Sequence, residues 1–346
     1  MTATLVTGGA GFIGSNFILH ELAAHPDLRI VNVDALTYAG SLANLASVAQ
    51  DPRYAFIQAD ITNQAAMSAV FTQYNPNVVV NFAAESHVDR SIQTPELFAH
   101  TNVLGTVALL EAARQHWVHQ DPEHHRFIQI STDEVYGSLP LDRPDLLFTE
   151  NSPLAPRSPY AASKASADTF VLSYRDTYGM PVNITRCSNN YGPRQYPEKL
   201  IPLTISRALA HQSIPIYGDG SNVRDWIHVD DHSSAVWAIL TAGRLGETYL
   251  IGANGERSDL AMMRMILRLM GKPEDMFDHV DDRPGHDRRY AIDATKLRTE
   301  LGWRPRHTDI ESGLRQTVQW YMDNPQWWKP TKSATEAKYA MQCATS

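Results

Sequence analysis

The chain has 346 residues, of which 43% are hydrophobic and 20% charged, a composition typical of a folded globular protein large enough for two lobes. Its 30 Lys and Arg and 38 Asp and Glu leave a net charge of −8, which argues against nonspecific attraction to nucleic acid or to an anionic membrane. Two cysteines, Cys187 and Cys343, supply neither a disulfide framework nor a paired zinc motif. We therefore expect a reducing, cytoplasmic setting, with no signal peptide and no membrane span.

In the first half of the chain, short apolar and β-branched segments alternate with helix-like segments. This alternation predicts right-handed βαβ crossovers, and hence an α/β fold with a doubly wound parallel sheet of the Rossmann type. The predicted strands are residues 4–7, 30–34, 54–58, 78–82, 127–131 and 182–186.

After residue 189 the pattern becomes mixed, with helix-like stretches at 200–210 and 259–270 and short strands at 215–217 and 248–251. We expect a smaller mixed α/β lobe here. The predicted division is residues 1–188 for the first lobe, with 226–245 returning to it, 189–325 for the second lobe and 326–346 for a peripheral tail.

Glycines 8, 11 and 14 follow the first predicted strand directly and open a helix. Glycine permits a tight turn, and the free N–H groups of the helix can hold a pyrophosphate. Asp34, at the end of the second strand, lies about 20 residues beyond Gly14, where a carboxylate accepts hydrogen bonds from a ribose diol and repels a 2′-phosphate. The pattern predicts NAD rather than NADP.

Two further strand ends are expected at the cofactor, because ligands of such sheets lie outside the carboxyl ends of the strands. Asp60 and Ile61 follow the third strand and would reach the adenine, while residues 82–84 follow the fourth. Asp60 could equally cap the helix that begins near Gln64.

Tyr160 and Lys164 stand four residues apart and share one face of a predicted helix that follows the fifth strand. A phenol is a poor base near its ordinary pKa of about 10, but a nearby ammonium and a positively charged nicotinamide favour the phenolate. We expect Tyr160 to take the proton of a hydroxyl whose carbon gives up a hydride. The alternative is a surface Tyr beside a solvated Lys.

Two adjacent carboxylates, Asp133 and Glu134, follow the fifth strand and should emerge at the ligand-binding edge of the sheet. Alcohol oxidation needs only a hydride acceptor and a base. An added acid and base suit a β-elimination, in which one group takes a C–H proton and the other protonates a departing hydroxyl. The alternative is that both residues cap the next helix or face solvent.

At these residues the chain resembles the extended short-chain dehydrogenase/reductase family and, within it, the dTDP-glucose 4,6-dehydratase family. The resemblance runs to about Trp327 and rests on GGAGFIG (8–14), VDALTYAG (33–40), AAESHVDRSI (83–92), STDEVYG (131–137), SPYAASKAS (158–166), CSNNYGP (187–193), PEKLIP (197–202) and DRPGHDRRYAID (282–293). Related epimerases and decarboxylases share the glycine loop and YxxxK but lack the TDE triplet.

The resemblance implies a three-stage cycle on a nucleotide-linked glucose. Tyr160, supported by Lys164 and aided by Thr132, would remove the O4 proton while hydride passes from C4 to NAD. Glu134 would then take the C5 proton while Asp133 protonates the C6 hydroxyl, and hydride would return to C6. The product would be dTDP-4-keto-6-deoxyglucose, a precursor of rhamnose and of other deoxysugars.

The resemblance also implies two sets of binding residues. The cofactor set is Gly8, Gly11, Phe12, Ile13, Gly14, Asp34, Ala35, Leu36, Thr37, Asp60, Ile61, Phe82, Ala83, Ala84, Ser86, Thr101, Tyr160, Lys164 and Asn190. The substrate set is Ser86, Thr132, Asn189, Lys199, Leu200, Pro215, Ile216, Tyr217, Arg224, Asn254, Arg283, Pro284, Gly285, His286 and Asp287. Family likeness further implies a homodimer formed through helices at 101–116 and 160–178.

Other hypotheses stay open. The chain could be a UDP- or GDP-sugar 4,6-dehydratase, a 4-epimerase or a decarboxylase of the same fold, or a catalytically silent protein that senses NAD. We predict no metal site: His119, His124 and His125 are expected in a solvated turn. Trp327 and Trp328 are expected to cover the edge of the core, and Cys187 to be a small buried residue rather than a nucleophile.

Overall fold

The computed structural model describes residues 3–118, 120–330 and 332. Its strands are β1 (Ala3–Thr7), β2 (Arg29–Asp34), β3 (Tyr54–Gln58), β4 (Pro76–Asn81), β5 (Arg126–Thr132), β6 (Val182–Cys187), β7 (Asn189–Tyr191), β8 (Ile214–Tyr217), β9 (Val223–Arg224), β10 (Trp226–His228), β11 (Thr248–Ile251), β12 (Arg257–Ser258) and β13 (Phe277–Val280). Its α-helices are α1 (Phe12–Ala24), α2 (Gln64–Tyr74), α3 (Val88–Gln93), α4 (Pro95–Phe98), α5 (Gly105–Trp117), α6 (Pro159–Tyr178), α7 (Leu200–Leu209), α8 (Val229–Ala242), α9 (Asp259–Leu269), α10 (Thr295–Leu301) and α11 (Ile310–Asp323).

A seven-stranded sheet organises the molecule, with the strand order β3-β2-β1-β4-β5-β6-β11. Every neighbouring pair in it is parallel. The chain winds outward from β1 to β3 and then returns to β4 on the other side, so a crevice opens at the carboxyl ends of β1 and β4. The predicted doubly wound parallel sheet is confirmed.

Helices cover both faces of this sheet, because alternate side chains of each strand enter two separate cores. In β1, Leu5 packs with apolar residues of α2, α5 and α6. Its neighbour Val6 packs on the opposite face with residues of α1 and α8. Helix α8 thus returns to the sheet and lies against α1.

One strand lies in a different place from the one we predicted. Residues 248–251 were expected in the second lobe, but β11 pairs in parallel with β6 and forms the edge of the main sheet. Tyr249, Leu250 and Ile251 are fully buried, as expected for a strand covered on both faces. A short apolar run does not reveal which sheet it joins.

A smaller lobe is built from α7, α9 and α11 and three two-stranded sheets, β10-β7, β12-β9 and β13-β8. Its core includes Trp226, Met262, Leu314 and Tyr321. Among the described residues, no helix combines the length and the apolar character needed to cross a membrane.

Two expectations about the periphery need correction. Residues 327 and 328 were placed in a peripheral tail, but Trp328 is buried in the core of the smaller lobe and Trp327 donates from Nε1 to Asn44 Oδ1 at 2.7 Å. The expectation that both indoles cover the core is confirmed. His125 is buried rather than solvated and lies 4.9 Å from the Trp117 ring; His124 is exposed. His119 and Cys343 lie outside the described residues.

Candidate active site

A cavity opens at the carboxyl end of the main sheet and gathers most of the predicted cofactor residues. All of that set line it except Leu36, together with Thr132, Asp133, Glu134, Asn189 and Lys199. Leu36 instead takes a left-handed conformation with φ 53° and donates its N–H to Asp34. The strand ends therefore bring these residues to one site.

The glycine loop forms a tight cradle at the start of α1. Gly8 has φ 67°, and a Cβ there would lie 2.6 Å from Ala83 N. A Cβ at Gly14 would lie 2.5 Å from Gly8 O. Gly11 is the N-cap of α1, and no side chain caps that end, so its N–H groups suit a pyrophosphate.

Asp34 ties this loop to the end of β2. Its Oδ2 accepts the Ala10 N–H at 2.8 Å, and its Oδ1 accepts the Leu36 N–H at 2.8 Å. A carboxylate keeps further lone pairs for a ribose diol. Within the described part of the chain no arginine lines the cavity, so the site offers a 2′-phosphate no guanidinium and fits NAD better than NADP.

The two interpretations of Asp60 can now be separated. Asn63, not Asp60, caps α2, since its side chain accepts the Ala66 N–H. Asp60 accepts the N–H and the hydroxyl of Thr62, each at 2.8 Å, and lines the cavity. The helix-cap alternative is therefore wrong.

Tyr160 and Lys164 enter the cavity from α6, which begins at the N-cap Ser158 with Pro159 in its first turn. Lys164 is buried and donates from Nζ to the Ile130 carbonyl at 2.6 Å. The Thr132 side chain lines the same cavity and, as a hydrogen-bonding neighbour, lowers the pKa of the Tyr160 phenol. The surface-Tyr alternative is excluded by this placement.

The expected stabilisation of the Tyr160 phenolate is not supplied by the protein's own groups. Burial, and then the negative charge of Glu134, raise the pKa of Tyr160 well above its ordinary value. Burial also lowers the pKa of Lys164. The sequence argument did not count desolvation or the nearby carboxylates, and stabilisation of the phenolate by Lys164 together with a positively charged nicotinamide stays a prediction.

Asp133 and Glu134 do not cap a following helix. Thr132 does so, and its Oγ1 accepts the Glu134 N–H at 3.3 Å at the start of the short 3-10 turn Asp133–Tyr136. Asp133 is 1% exposed, and its Oδ2 has no hydrogen-bond partner among the described residues. The helix-cap alternative for this pair is wrong.

The two carboxyl groups differ in proton affinity. Burial, with Glu134 and Asp225 nearby, raises the pKa of Asp133 well above its ordinary value. Burial raises the pKa of Glu134 as well, but Arg283, Arg224 and Lys199 oppose that rise. Such a separation favours Asp133 as the acid and Glu134 as the base.

The remaining substrate residues form a cationic cluster beside the cavity rather than lining it. Arg224 Nη2 lies 2.9 Å from His286 Nε2, and Arg283 Nη1 lies 3.2 Å from Asp89 Oδ1. Those that do not line the cavity are Leu200, Pro215, Ile216, Tyr217, Arg224, Asn254, Arg283, Pro284, Gly285, His286 and Asp287. Asn254 lies apart from the cluster, with its backbone N–H on Asp225.

Sequence reasoning missed several residues of the site. Tyr38, Glu85, Gln195, Tyr196 and Glu198 line the cavity. Asp89 holds both Arg283 and the Tyr217 hydroxyl, and the Tyr290 hydroxyl donates to Asp287 Oδ2 at 2.6 Å. All except Gln195 and Tyr196 stand inside the quoted motif strings, so a residue-by-residue reading of those strings would have found them.

Another group of titratable side chains, His228, Asp230 and His307, has ligand atoms within 4.8 Å of one another. The two imidazoles stack 3.9 Å apart at 22°, so their in-plane lone pairs run side by side. His228 Nδ1 already accepts the Asp230 N–H. This is the geometry of a capped helix and not of a convergent metal site.

Cys187 is buried, and burial raises the pKa of its thiol to about 12. A thiol that holds its proton so strongly is a poor nucleophile. The expectation of a buried, unreactive cysteine agrees with this environment.

Fold and site together define a class: an NAD-binding oxidoreductase scaffold of the extended short-chain dehydrogenase/reductase type, with an acid and base added at the end of β5. Residues 5–317 match the family described as GDP-mannose 4,6 dehydratase. The dTDP-glucose 4,6-dehydratase of Neisseria meningitidis serogroup B is 52% identical over 95% of this chain and 96% of its own length. That of Mycobacterium tuberculosis is 52% identical over 97% and 98%.

Solved structures agree with these relatives. The dTDP-glucose 4,6-dehydratase of Bacillus anthracis in complex with NAD has a TM-score of 0.87 and 49% identity, covering 96% of this chain and 100% of that one. The UDP-glucose 4-epimerase of Thermotoga maritima has a TM-score of 0.83 but only 27% identity, covering 93% and 99%. The chain belongs to the dTDP-glucose 4,6-dehydratase family.

Proposed function

We propose that the chain is an NAD-dependent hydro-lyase that converts dTDP-glucose to dTDP-4-keto-6-deoxyglucose and water. The observation that carries this proposal is the buried acid Asp133 and the base Glu134 beside Tyr160 at the edge of an NAD-type cavity. Relatives about half identical over nearly the full chain bear the same activity in their names. An epimerase needs no such acid and base.

NAD fits the cradle of Gly8, Gly11 and Gly14, with Asp34 at the ribose. When bound, it would supply the hydride acceptor for C4 and the hydride donor for C6 of the sugar, so no external oxidant would be consumed. The main sheet lobe, residues 1–188 with 226–245 and β11, would hold NAD, and the rest of 189–325 the nucleotide sugar.

The protein's own groups move the protons. Tyr160 Oη takes the O4 proton, with Thr132 as a hydrogen-bonding neighbour and the Lys164 ammonium nearby on the same helix face. The resulting C4 ketone acidifies C5–H. Glu134 removes that proton, and Asp133, which holds its own proton strongly, protonates the C6 hydroxyl so that it leaves as water.

Lys199, Arg224 and Arg283 are the cations for the diphosphate. A guanidinium can bind a phosphate through two parallel hydrogen bonds. Asp89 and His286 hold the two arginines in the described structure, which limits the freedom these side chains lose on binding. Their charge also reaches Glu134 and lowers its pKa, so diphosphate binding and base strength are linked.

Incubation with dTDP-glucose should give a 4-keto sugar, detected by its alkaline absorbance. A C4 epimer alone would indicate the 4-epimerase, and NAD binding without turnover would indicate a sensing protein. UDP-, GDP- and CDP-glucose run in parallel give the base preference. Absence of product from all four sugars would overturn the proposal.

We also propose a cytoplasmic homodimer whose product enters deoxysugar biosynthesis, rhamnose formation included. Exposed apolar side chains lie on or beside the helices expected at the interface: Leu97, Leu104, Phe170 and Tyr178 are 40–58% exposed. Light scattering after gel filtration should give twice the chain mass. Phe170→Glu with Leu104→Glu should give the single mass, and an unchanged mass would exclude this surface.

A further inference from the structure

The proposed reaction leaves two side chains in a protonation state that differs from the one in which they started. This inference rests on the proposed function. Tyr160 ends a turnover with the O4 proton of the substrate, while Asp133 has given its proton to the departing water. Glu134 returns a proton to C5 and so resets itself. A second turnover therefore requires Asp133 to gain one proton and Tyr160 to lose one.

The Thr132 hydroxyl lies between these two groups. It lines the cavity together with Tyr160 and lowers the pKa of that phenol as a hydrogen-bonding neighbour, and its Oγ1 lies 3.3 Å from Asp133 Oδ1. The backbone N–H of Glu134 donates to the same Oγ1 at 3.3 Å and fixes its position. A hydroxyl can donate one hydrogen bond while it accepts others.

We propose that Thr132 relays the proton of the Tyr160 phenol back to Asp133 and so resets the site after each turnover. The phenol proton passes to Thr132 Oγ1 as the hydroxyl proton of Thr132 passes to Asp133 Oδ1. One O–H bond breaks and one forms at threonine, which is unchanged at the end. Tyr160 becomes a phenolate again and Asp133 a neutral acid.

The surroundings favour this route. Thr132 and Asp133 are 8% and 1% exposed, so bulk water has little access to the acid. The Thr132 side chain is hydrogen-bonded to Asp133 and lowers the pKa of Tyr160, while the Lys164 ammonium is held at the Ile130 carbonyl.

The experiment separates the first turnover from later ones by rapid quenching of the NAD-loaded chain with excess dTDP-glucose. In Thr132→Val the first product per site should form, slowed by the lost partner of Tyr160. The steady rate should fall by a further factor of roughly 100, the size of a positioned proton transfer. Thr132→Ser keeps a hydroxyl and should show no such burst.

Thr185→Val is the matched control, because it removes a buried hydroxyl of β6 that has no hydrogen-bond partner among the described residues. Its first and later turnovers should proceed at equal rates.

Equal first and later rates in Thr132→Val would overturn the relay. If that variant lacks even a first turnover, Thr132→Cys provides the same comparison with a weakly hydrogen-bonding thiol: a burst supports the relay and equal rates contradict it. Failure of the unaltered chain to turn over dTDP-glucose is a different result and would count against the proposed function instead.

Discussion

The glycine cradle and the cationic cluster, both proposed to hold phosphates, are built in opposite ways. The cradle uses backbone N–H groups at the start of α1, set by Gly8, Gly11 and Gly14 within one short stretch of chain. The cluster uses Arg224 and Arg283, brought together from distant segments and held by His286 and Asp89. The cradle depends on the absence of side chains at its glycines, whereas the cluster depends on the positive charge of its arginines. Different substitutions should therefore disable the two regions.

The largest effect is expected between the two regions, at the reacting groups. Glu134→Gln keeps the size of the side chain but removes the C5 base, so kcat should fall by roughly 10³, within the range of acid and base catalysis. A trace of C4 oxidation should remain, visible as reduced nicotinamide, while solvent exchange at C5 stops. Normal turnover of this variant would show that Glu134 is not the base.

A side chain introduced into the glycine cradle should disrupt it by steric clash. Gly8→Ala places a Cβ 2.6 Å from Ala83 N at φ 67°, and we expect loss of bound NAD and destabilisation by about 2–4 kcal/mol. Gly179→Ala is the matched control, because Gly179 has the same φ of 67° with nothing within 4 Å. It should cost about 1 kcal/mol and keep NAD. Stability is measured by thermal unfolding, and bound NAD by cofactor content. Equal losses of both in the two variants would show that backbone strain, and not the clash with Ala83, causes the effect.

The cluster should fail by loss of charge. Arg283→Met removes a cation that lowers the pKa of Glu134, so that pKa should rise. A base must be deprotonated to act, and the acid limb of kcat should therefore move to higher pH. KM for dTDP-glucose should rise about 10-fold through the lost phosphate contact.

A pH profile and KM together test this prediction, and Arg288→Met, which removes an exposed neighbouring cation, is the control. If the acid limb of the Arg283→Met profile does not move, the charge of Arg283 does not influence the pKa of Glu134.

The same contrast explains what the sequence could predict. The cradle, Asp34, and the Tyr160 and Lys164 pair are local patterns that follow single strand ends, and the structure brings them to one cavity. Asp89, the partner of Arg283, was missed, because the two residues lie 194 positions apart and no local pattern pairs them. The place of β11 was predicted wrongly for a related reason: sheet pairing is set by distant segments.

The smallest effect on stability is expected at the contact between Trp327, near the C-terminus, and Asn44. Trp327 donates from Nε1 to Asn44 Oδ1 at 2.7 Å, which links the C-terminal segment to residues near the glycine loop. Trp327→Phe keeps most of the packing and removes this one bond, so unfolding free energy should fall by about 1 kcal/mol. NAD affinity should not change, because Asp34 Oδ2 and Asn44 Nδ2 still hold the backbone of Ala10 in the cradle without this bond. NAD affinity is measured by titration of the folded protein. A large loss of affinity in Trp327→Phe would show that the C-terminal segment contributes to the cofactor site.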